Sequence, residues 1–326
     1  MINSGNREKI IIIDSNSVIH RAYHALPRLT TKKGEVVNAV YGFLLVFLKA
    51  IKSFQPDYIA ATFDMPGLTF RHKKYKEYKA KRPPVAEELY KQFPLVKEVL
   101  KAFNVQIFEK DGFEADDIIG TIASRVKDGE KPIGVSTIIL SGDLDTLQLI
   151  NPDTKVYVLR RGVKDVVLYD EKMAEERFGG LTPKQLIDYK ALRGDPSDNI
   201  PGVGGIGDKT AIDLLLGFGT LENIYREIGK KTENSKNIKA KLQEALVAEK
   251  EQAFLSKNLV EIEKNVPIDF DLEKCKWGEY DQENVVEVLK KMEFHSLVKR
   301  LPELREGARD KDNLEKSAFQ GNLKLW

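Results

Sequence analysis

Asp195 and Asp198, in Gly194-Asp195-Pro196-Ser197-Asp198-Asn199-Ile200-Pro201, stand three residues apart just ahead of a glycine-rich turn. That spacing lets both carboxylates face one cation in a helix or a tight turn. The residues that follow, Gly202-Val203-Gly204-Gly205-Ile206-Gly207-Asp208-Lys209-Thr210, lead into an apolar helical run, so their backbone N–H groups can meet a phosphate. Other acids are placed for the same chemistry. Asp14 ends the β-branched run Ile10 to Ile13, Asp143 ends Ser136 to Gly142 with Asp145 just beyond, and Glu114, Asp116 and Asp117 open a helix after a third strand. In a parallel sheet the carboxyl ends of the strands share one rim, so these acids would gather around one cleft. The short acidic motifs carry no Lys or Arg, and such mutual repulsion is tolerable only with cations between the groups. With no His or Cys nearby, oxygen-only ligation selects Mg²⁺, for which Mn²⁺ can substitute, over Zn²⁺. The surplus of carboxylates argues for two ions, which about 4 Å apart would clamp a phosphodiester for in-line hydrolysis.

Each acid also has a plain structural explanation. Asp143-Leu144-Asp145 could form a strand-end turn, and Glu114 or Asp116 could cap a helix. The joint pattern carries the metal reading. Asp64, directly before Met65-Pro66, reads as a turn residue and stays outside the metal set. The segment Arg71 to Arg82 sets Arg71, Lys73, Lys74, Lys76, Lys79, Lys81 and Arg82 against Glu77 alone, with Tyr75 and Tyr78 interleaved and no apolar face to bury. A charge run usually means a solvated loop. Here the tyrosines offer flat faces to unpaired bases while the cations track phosphates, so nucleic acid is the favoured partner. The glycine turn reads either as a simple connection or as a helix-hairpin-helix that grips duplex phosphates. A P-loop is set aside, because a preceding strand and the Gly-Lys-Ser/Thr ending are missing.

Positioning these residues takes an α/β domain with a mostly parallel central sheet. Strands are expected at Lys9 to Asp14, Asp57 to Asp64, Val105 to Phe108 and Ser136 to Asp143, and an edge hairpin at Lys155 to Leu159 and Asp165 to Tyr169. Between them, helices are expected over Val37 to Phe54, over Glu87 to Phe103 with a kink at Pro94, and over Asp117 to Val126. From about residue 180 the pattern becomes helical, with Thr182-Pro183 opening a helix over Gln185 to Leu192. Charge decides little, because 52 Lys and Arg against 50 Asp and Glu leave the chain at +2. The lone Cys275 excludes an internal disulfide, no apolar run reaches membrane length, and the expected setting is a reducing cytoplasm.

In family order, these motifs resemble the 5′-nucleases, meaning the flap endonucleases and the 5′→3′ exonuclease domain of bacterial DNA polymerase I. They are Ile13-Asp14, Phe70-Arg71-His72 with Tyr78 to Arg82, Gly112-Phe113-Glu114-Ala115-Asp116-Asp117, Ser141-Gly142-Asp143-Leu144-Asp145, and Gly194-Asp195 to Thr210. The resemblance covers roughly residues 10 to 300. It implies a PIN-like nuclease core over 1–180 with a helical arch near 71–100, a helical region over 181–300 with a helix-three-turn-helix module near 185–220, and a flexible tail over 301–326. It assigns Asp14, Glu114, Asp116, Asp117, Asp143, Asp145, Asp195 and Asp198 to two Mg²⁺ ions. Arg71, Lys79 and Arg82 would steer the scissile phosphate, and Tyr78 would stack on an unpaired nucleotide. Gly202, Gly204, Gly205, Gly207, Lys209 and Thr210 would hold the duplex, and the carbonyls of Val203 and Ile206 a K⁺ ion. Ser15-Asn16 and Leu144 depart from the common pattern without removing a ligand.

The activity so implied is structure-specific 5′→3′ exonuclease and flap endonuclease cleavage at 5′ flaps, junctions and RNA primer–DNA hybrids, in primer removal and repair. A monomer at the bacterial nucleoid is the expected form. The chain stops at Trp326 without polymerase motifs, which reads as a free-standing nuclease, and Asn322-Leu323-Lys324-Leu325-Trp326 resembles a sliding-clamp-binding peptide. A frayed or self-docked terminus explains the same residues equally well. A PIN-type ribonuclease and a non-cleaving junction-binding protein are the rival readings.

Overall fold

The computed structural model describes residues 7–127 and 134–302. The tail lies outside the described residues from 303 on, and with it the clamp-type peptide Asn322 to Trp326. The strands β1 (Lys9–Asp14), β2 (Tyr58–Thr62), β3 (Gln106–Phe108), β4 (Ser136–Ser141), β5 (Thr154–Arg161) and β6 (Asp165–Tyr169) form one six-stranded sheet ordered β3-β2-β1-β4-β5-β6. All neighbours pair in parallel except β5 and β6, the expected edge hairpin, whose turn uses Gly162 at φ +68°. The α/β class and the mostly parallel sheet follow from the strand pattern as expected.

Ile10 to Ile13 are all buried because both faces of the sheet are covered. Alternation sends Ile10 and Ile12 into one core and Ile11 and Ile13 into the other. The second core is closed by α1 (Ser15–Ala25), α2 (Asn38–Phe54) and, beyond the short helices α3 (Phe70–Lys74) and α4 (Glu87–Tyr90), by α5 (Gln92–Ala102). The single kinked helix expected over Glu87 to Phe103 is two helices that part at Lys91. Pro94 falls in the first turn of α5, where no intrahelical N–H is required, so no kink is needed.

The first core holds α6 (Ala115–Lys127) and runs on without a break into the helical region. That region comprises α7 (Glu171–Arg177), α8 (Gln185–Arg193), α9 (Asp208–Phe218), α10 (Leu221–Lys230), α11 (Glu233–Lys236), α12 (Ala240–Ala248) and α13 (Lys250–Val260), whereas the following α14 (Gln282–Lys291) and α15 (His295–Val298) return to the second core. Leu192, Val203, Ala211 and Leu215 of the α8–α9 hairpin share this core with Ile10, Ile12 and Ile118. The hairpin is therefore seated directly on the sheet domain.

Phe47 is 1% exposed and meets Phe103 and Trp277 edge-on at 5.3 and 5.8 Å between ring centroids. Truncating it should cost about 3–5 kcal/mol. Urea unfolding of Phe47→Ala checks this, with a clearly lower midpoint and an unchanged slope expected.

Candidate active site

Each strand that carries an acid delivers it to the carboxyl rim of the sheet. Asp14 ends β1 and caps α1 by accepting the Ser17 N–H at 3.2 Å, while Ser141 at the end of β4 donates its hydroxyl to Asp14 at 2.6 Å. Asp143 follows β4 and accepts the Asp145 N–H at 2.9 Å. Asp116 sits in the first turn of α6. Together with Asp64 and Glu114, Asp14, Asp116 and Asp143 line a cavity of about 350 Å³, edged by His20, Arg21 and His24 from α1 and by Lys79 and Arg82.

The acids feel one another. Burial raises the Asp14 carboxyl to about 6, with Asp143 adding to the rise against the Ser141 and Ser17 hydrogen bonds. Burial and the charges of Asp14 and Asp143 push Asp116 well above the usual carboxylate range. Burial and Asp143 raise Asp145 to about 7, although Lys190 pulls the other way. For Asp195 burial also acts upward, but Lys190 and the hydrogen bonds from Ser197 outweigh it and hold the carboxyl low. Close, partly desolvated carboxylates of this kind suit hard divalent cations, although His20 and His24 from α1 also edge the cavity, which the local motifs did not show.

The short acidic motifs carry no Lys or Arg, and the basic side chains that neutralise some of these acids arrive from outside them. Arg71 pairs with Asp117, Lys79 approaches Glu114 at 2.9 Å and Asp198 at 3.8 Å, Arg82 pairs with Asp198, and Lys190 bridges Asp145 and Asp195. Among the described residues, no three His, Cys, Asp or Glu side chains already form a group that could hold a metal ion. Glu114, Asp117, Asp145, Asp195 and Asp198 are shared with internal cations instead.

Asp117, expected as a ligand, has a different task. It is fully buried, and the Arg71 guanidinium grips both its oxygens at 2.7 and 2.8 Å. The Glu114 and Glu263 N–H groups donate to the same carboxylate at 3.0 and 2.9 Å. Asp117 does not line the acidic cavity, and its full burial commits both oxygens to this ion pair and these amides. Arg71, expected to steer a phosphate, is itself buried, and it donates further to the carbonyls of Leu259 and Glu261. The pair pins the start of the basic segment to α6 and the end of α13.

Tyr78 needs a similar correction. Its ring is buried rather than open for stacking, and its one hydroxyl proton is shared between Glu114 at 3.1 Å and Asp198 at 3.2 Å. Burial and those two carboxylates push the phenol pKa far upward. The segment thus does bury a face, contrary to expectation. Its turn is stitched to the Asp195–Asn199 turn, because Lys79 donates its N–H to the Asp198 carbonyl at 2.8 Å and the Asn199 amide donates to the Glu77 carbonyl at 2.7 Å. Lys79 and Asn199 take left-handed backbones, at φ +56° and +58°, to make that junction.

In the hairpin, Asp195 and Ile200 exchange backbone hydrogen bonds at 2.9 and 2.8 Å, which closes the acidic turn before the glycines begin. Gly202, expected to touch DNA, is buried. It donates to the Ser256 hydroxyl, accepts from Gln252 at 2.7 Å, and lies so close to Gly194 that an added Cβ would meet its nitrogen at 2.2 Å. Its role is packing. Gly204, Gly205, Gly207 and Lys209 are exposed, and Thr210 is half-buried. The Gly204 N–H is already given to Glu249 at 2.6 Å, and the Val203 carbonyl accepts the Ile206 N–H at 3.2 Å.

Residues the motifs do not reveal also belong here. Asp64, read as a turn residue, opens onto the cavity and accepts the Ala115 N–H at 2.7 Å. Its signal was the strand end, because β2 runs beside β1 with Thr62 opposite Asp14. Lys190 and the α1 residues His20, Arg21 and His24 carry no local signal beyond lying on helices next to acidic motifs.

A parallel sheet with acids on its carboxyl rim, a basic segment docked against them and a glycine hairpin beside them define an α/β nuclease. The family model for the 5′-3′ exonuclease N-terminal resolvase-like domain matches residues 9–179, and that for the 5′-3′ exonuclease C-terminal SAM fold matches residues 181–283. The chain belongs to the 5′-3′ exonuclease family. It is 42% identical over 295 residues to DNA polymerase I of Caldicellulosiruptor bescii, with 90% of this chain and 33% of that protein covered. Against DNA polymerase I of Bacillus subtilis it is 39% identical over 309 residues, with 95% and 34% covered. The chain therefore spans about a third of the length of the curated relatives it matches. The bacteriophage T5 flap endonuclease, solved with DNA and metal ions, shares the fold at TM-score 0.64 and 20% identity, with 88% of this chain and 100% of that one covered. The catalytic core of Rad2 with a DNA substrate shares it at TM-score 0.55 and 18% identity, with 88% of each chain covered.

Breaking the buried Arg71–Asp117 pair should cost about 3–5 kcal/mol. Asp117→Asn is expected to unfold at a much lower urea concentration, and excess Mg²⁺ should leave that loss in place. Loss in Asp117→Asn of the Mg²⁺-induced rise in midpoint that the wild type shows would mark Asp117 as a ligand after all.

Proposed function

We propose that the chain hydrolyses phosphodiesters at 5′ flaps and single-strand/duplex junctions of DNA, as a 5′→3′ exonuclease and flap endonuclease. The observation that carries this reading is one junction. At the Asp195–Asn199 turn the acidic cavity, the basic segment and the glycine hairpin meet through the contacts of Asp198 and Asn199. A duplex held by Gly204, Gly205, Gly207, Lys209 and Thr210 would send its 5′ strand past Lys79 and Arg82 to the acids. Those cations would draw the scissile phosphate toward a rim that bare carboxylates would repel.

Asp14, Asp64, Glu114, Asp116 and Asp143 on one side, and Asp145, Asp195 and Asp198 on the other, are the oxygen donors for two Mg²⁺ ions, with Mn²⁺ as a substitute. When bound, such a pair supplies a hydroxide at neutral pH and charge for the leaving oxygen. The chain's own part is to orient and neutralise. Lys79 and Arg82 hold the non-bridging oxygens, and the hairpin fixes how far the duplex enters. The carbonyls of Val203 and Ile206 are the proposed K⁺ ligands, which would stiffen the turn.

The relatives named DNA polymerase I and the structures solved with DNA, that of the T5 flap endonuclease also with metal ions, support this assignment. By it, the natural substrates are RNA primer–DNA hybrids and 5′ flaps met in bacterial replication and repair, and the enzyme works as a monomer in the cytoplasm. No described helix is long and apolar enough to cross a membrane.

A 5′-labelled flap incubated with Mg²⁺ tests the reading. Cleavage near the junction leaving 5′-phosphate and 3′-hydroxyl ends is expected, with Asp64→Asn and Asp143→Asn slowed about a hundredfold or more. A wild-type chain that binds the flap yet yields no Mg²⁺-dependent product would refute it.

A further inference from the structure

The two halves of the acidic rim are neutralised differently. Among the described residues, Asp14 and Asp143 hydrogen-bond only to hydroxyl and backbone groups, and no basic side chain pairs with them or with Asp116. Asp145 and Asp195, by contrast, share one ammonium. Lys190, on the last turns of α8, places Nζ against Oδ1 of Asp145 and 2.7 Å from Oδ2 of Asp195. These acids come from different parts of the chain, one from the turn after β4 and the other from the turn after α8. The cluster is largely shielded, with side-chain exposures of 19% for Lys190, 22% for Asp145 and 9% for Asp195. The other oxygen of Asp195 is fixed by the Ser197 N–H and hydroxyl at 2.9 and 2.6 Å, so Oδ2 points at the lysine.

We propose that Lys190 is a built-in counter-ion that keeps Asp145 and Asp195 at ligand spacing and yields them when a divalent ion enters. The inference rests on the metal reading given above and adds an order of events. In the half around Asp14, Asp116 and Asp143 the paired acid is Glu114, which Lys79 meets at 2.9 Å and Arg71 at 3.7 Å; an ion held by the other acids displaces no cation, so this half fills first. The half around Asp145 and Asp195 must trade an ammonium for an ion, so it fills at higher metal concentration. Lys190 is then a positioning residue, because it sets the affinity of the second site through the acids it holds. Without it, those carboxylates would repel across the joint between the sheet and the hairpin. A mobile ammonium suits this task better than a guanidinium, because its point charge can swing away on a flexible stem.

Calorimetric titration of Mn²⁺ into the full chain without DNA, beside Lys190→Met, tests the assignment. Two binding steps are expected for the wild type, the weaker of them tightened about tenfold in Lys190→Met, because one positive charge no longer competes within a few ångströms. Lys190→Arg, which keeps a cation, should bind like the wild type or more weakly. Thermal melts give a second reading. Lys190→Met should melt lower than the wild type without metal and gain more from saturating Mn²⁺. An unchanged weaker step together with an equal Mn²⁺-induced shift would overturn the lysine assignment while leaving the metal site standing. A wild type that binds no Mn²⁺ would bring down both.

Discussion

Like charges crowd the carboxyl rim of the sheet, and the surrounding structure is arranged to make that crowding tolerable. Close carboxylates at partial burial repel, so an undisturbed rim would either protonate or splay apart. Here some do shift upward, as with Asp14 and Asp145. Others are met by a cation brought from elsewhere, as with Asp117 by Arg71, Asp198 by Arg82 and Asp195 by Lys190. Each of these cations also ties down a piece of chain. Arg71 anchors the start of the basic segment, Arg82 its end, and Lys190 the first helix of the hairpin. Charge compensation and tertiary attachment are thus the same set of contacts.

That coupling explains why the turn from Gly194 to Gly202 is built so tightly. It must carry Asp195 and Asp198 toward the rim, receive the basic segment on Asp198 and Asn199, and still enter α9. The Asp195–Ile200 exchange closes the acidic loop, and Gly194 and Gly202 pack against each other where no side chain fits. Positive φ at both glycines makes the approach possible without strain. The hairpin's own closure uses another charge pair, because Arg193 at the end of α8 and Tyr189 one turn earlier both reach Asp208 at the start of α9.

Much of this was legible in the residues because strand ends announce themselves. Runs such as Ile10 to Ile13 fix where Asp14 must emerge, and the parallel pattern sends Asp143 to the same rim. Asp64 escaped because Met65-Pro66 signals a turn, and a turn residue can still line a cleft. The partners of the acids were not legible at all. Lys190 lies 45 positions from Asp145 in sequence, and nothing local distinguishes it from a lysine on a solvated helix face. The roles of Asp117 and Gly202 failed for a related reason. A motif reports residue type and spacing, whereas burial and competing donors decide which oxygen remains free.

The same logic reaches the anion-binding side of the molecule. The Gly204 N–H, aimed outward from the turn as a phosphate donor should be, is held by the carboxylate of Glu249, which also accepts from Gln252. Gln252 in turn donates to the Gly202 carbonyl, so the start of α13 orders the turn from behind. Gly204 is exposed, so water would otherwise take that N–H, and Glu249 acts by fixing the direction of the turn, while internal ammonium and guanidinium groups relieve the repulsion of the acids. The chain therefore keeps much of its cation-seeking and anion-seeking surface satisfied from within, with Asp14 and Asp143 met, among the described residues, only by hydroxyl and backbone groups and Asp116 by no cation. Binding at either surface becomes an exchange of partners at a preformed site, with little backbone left to order.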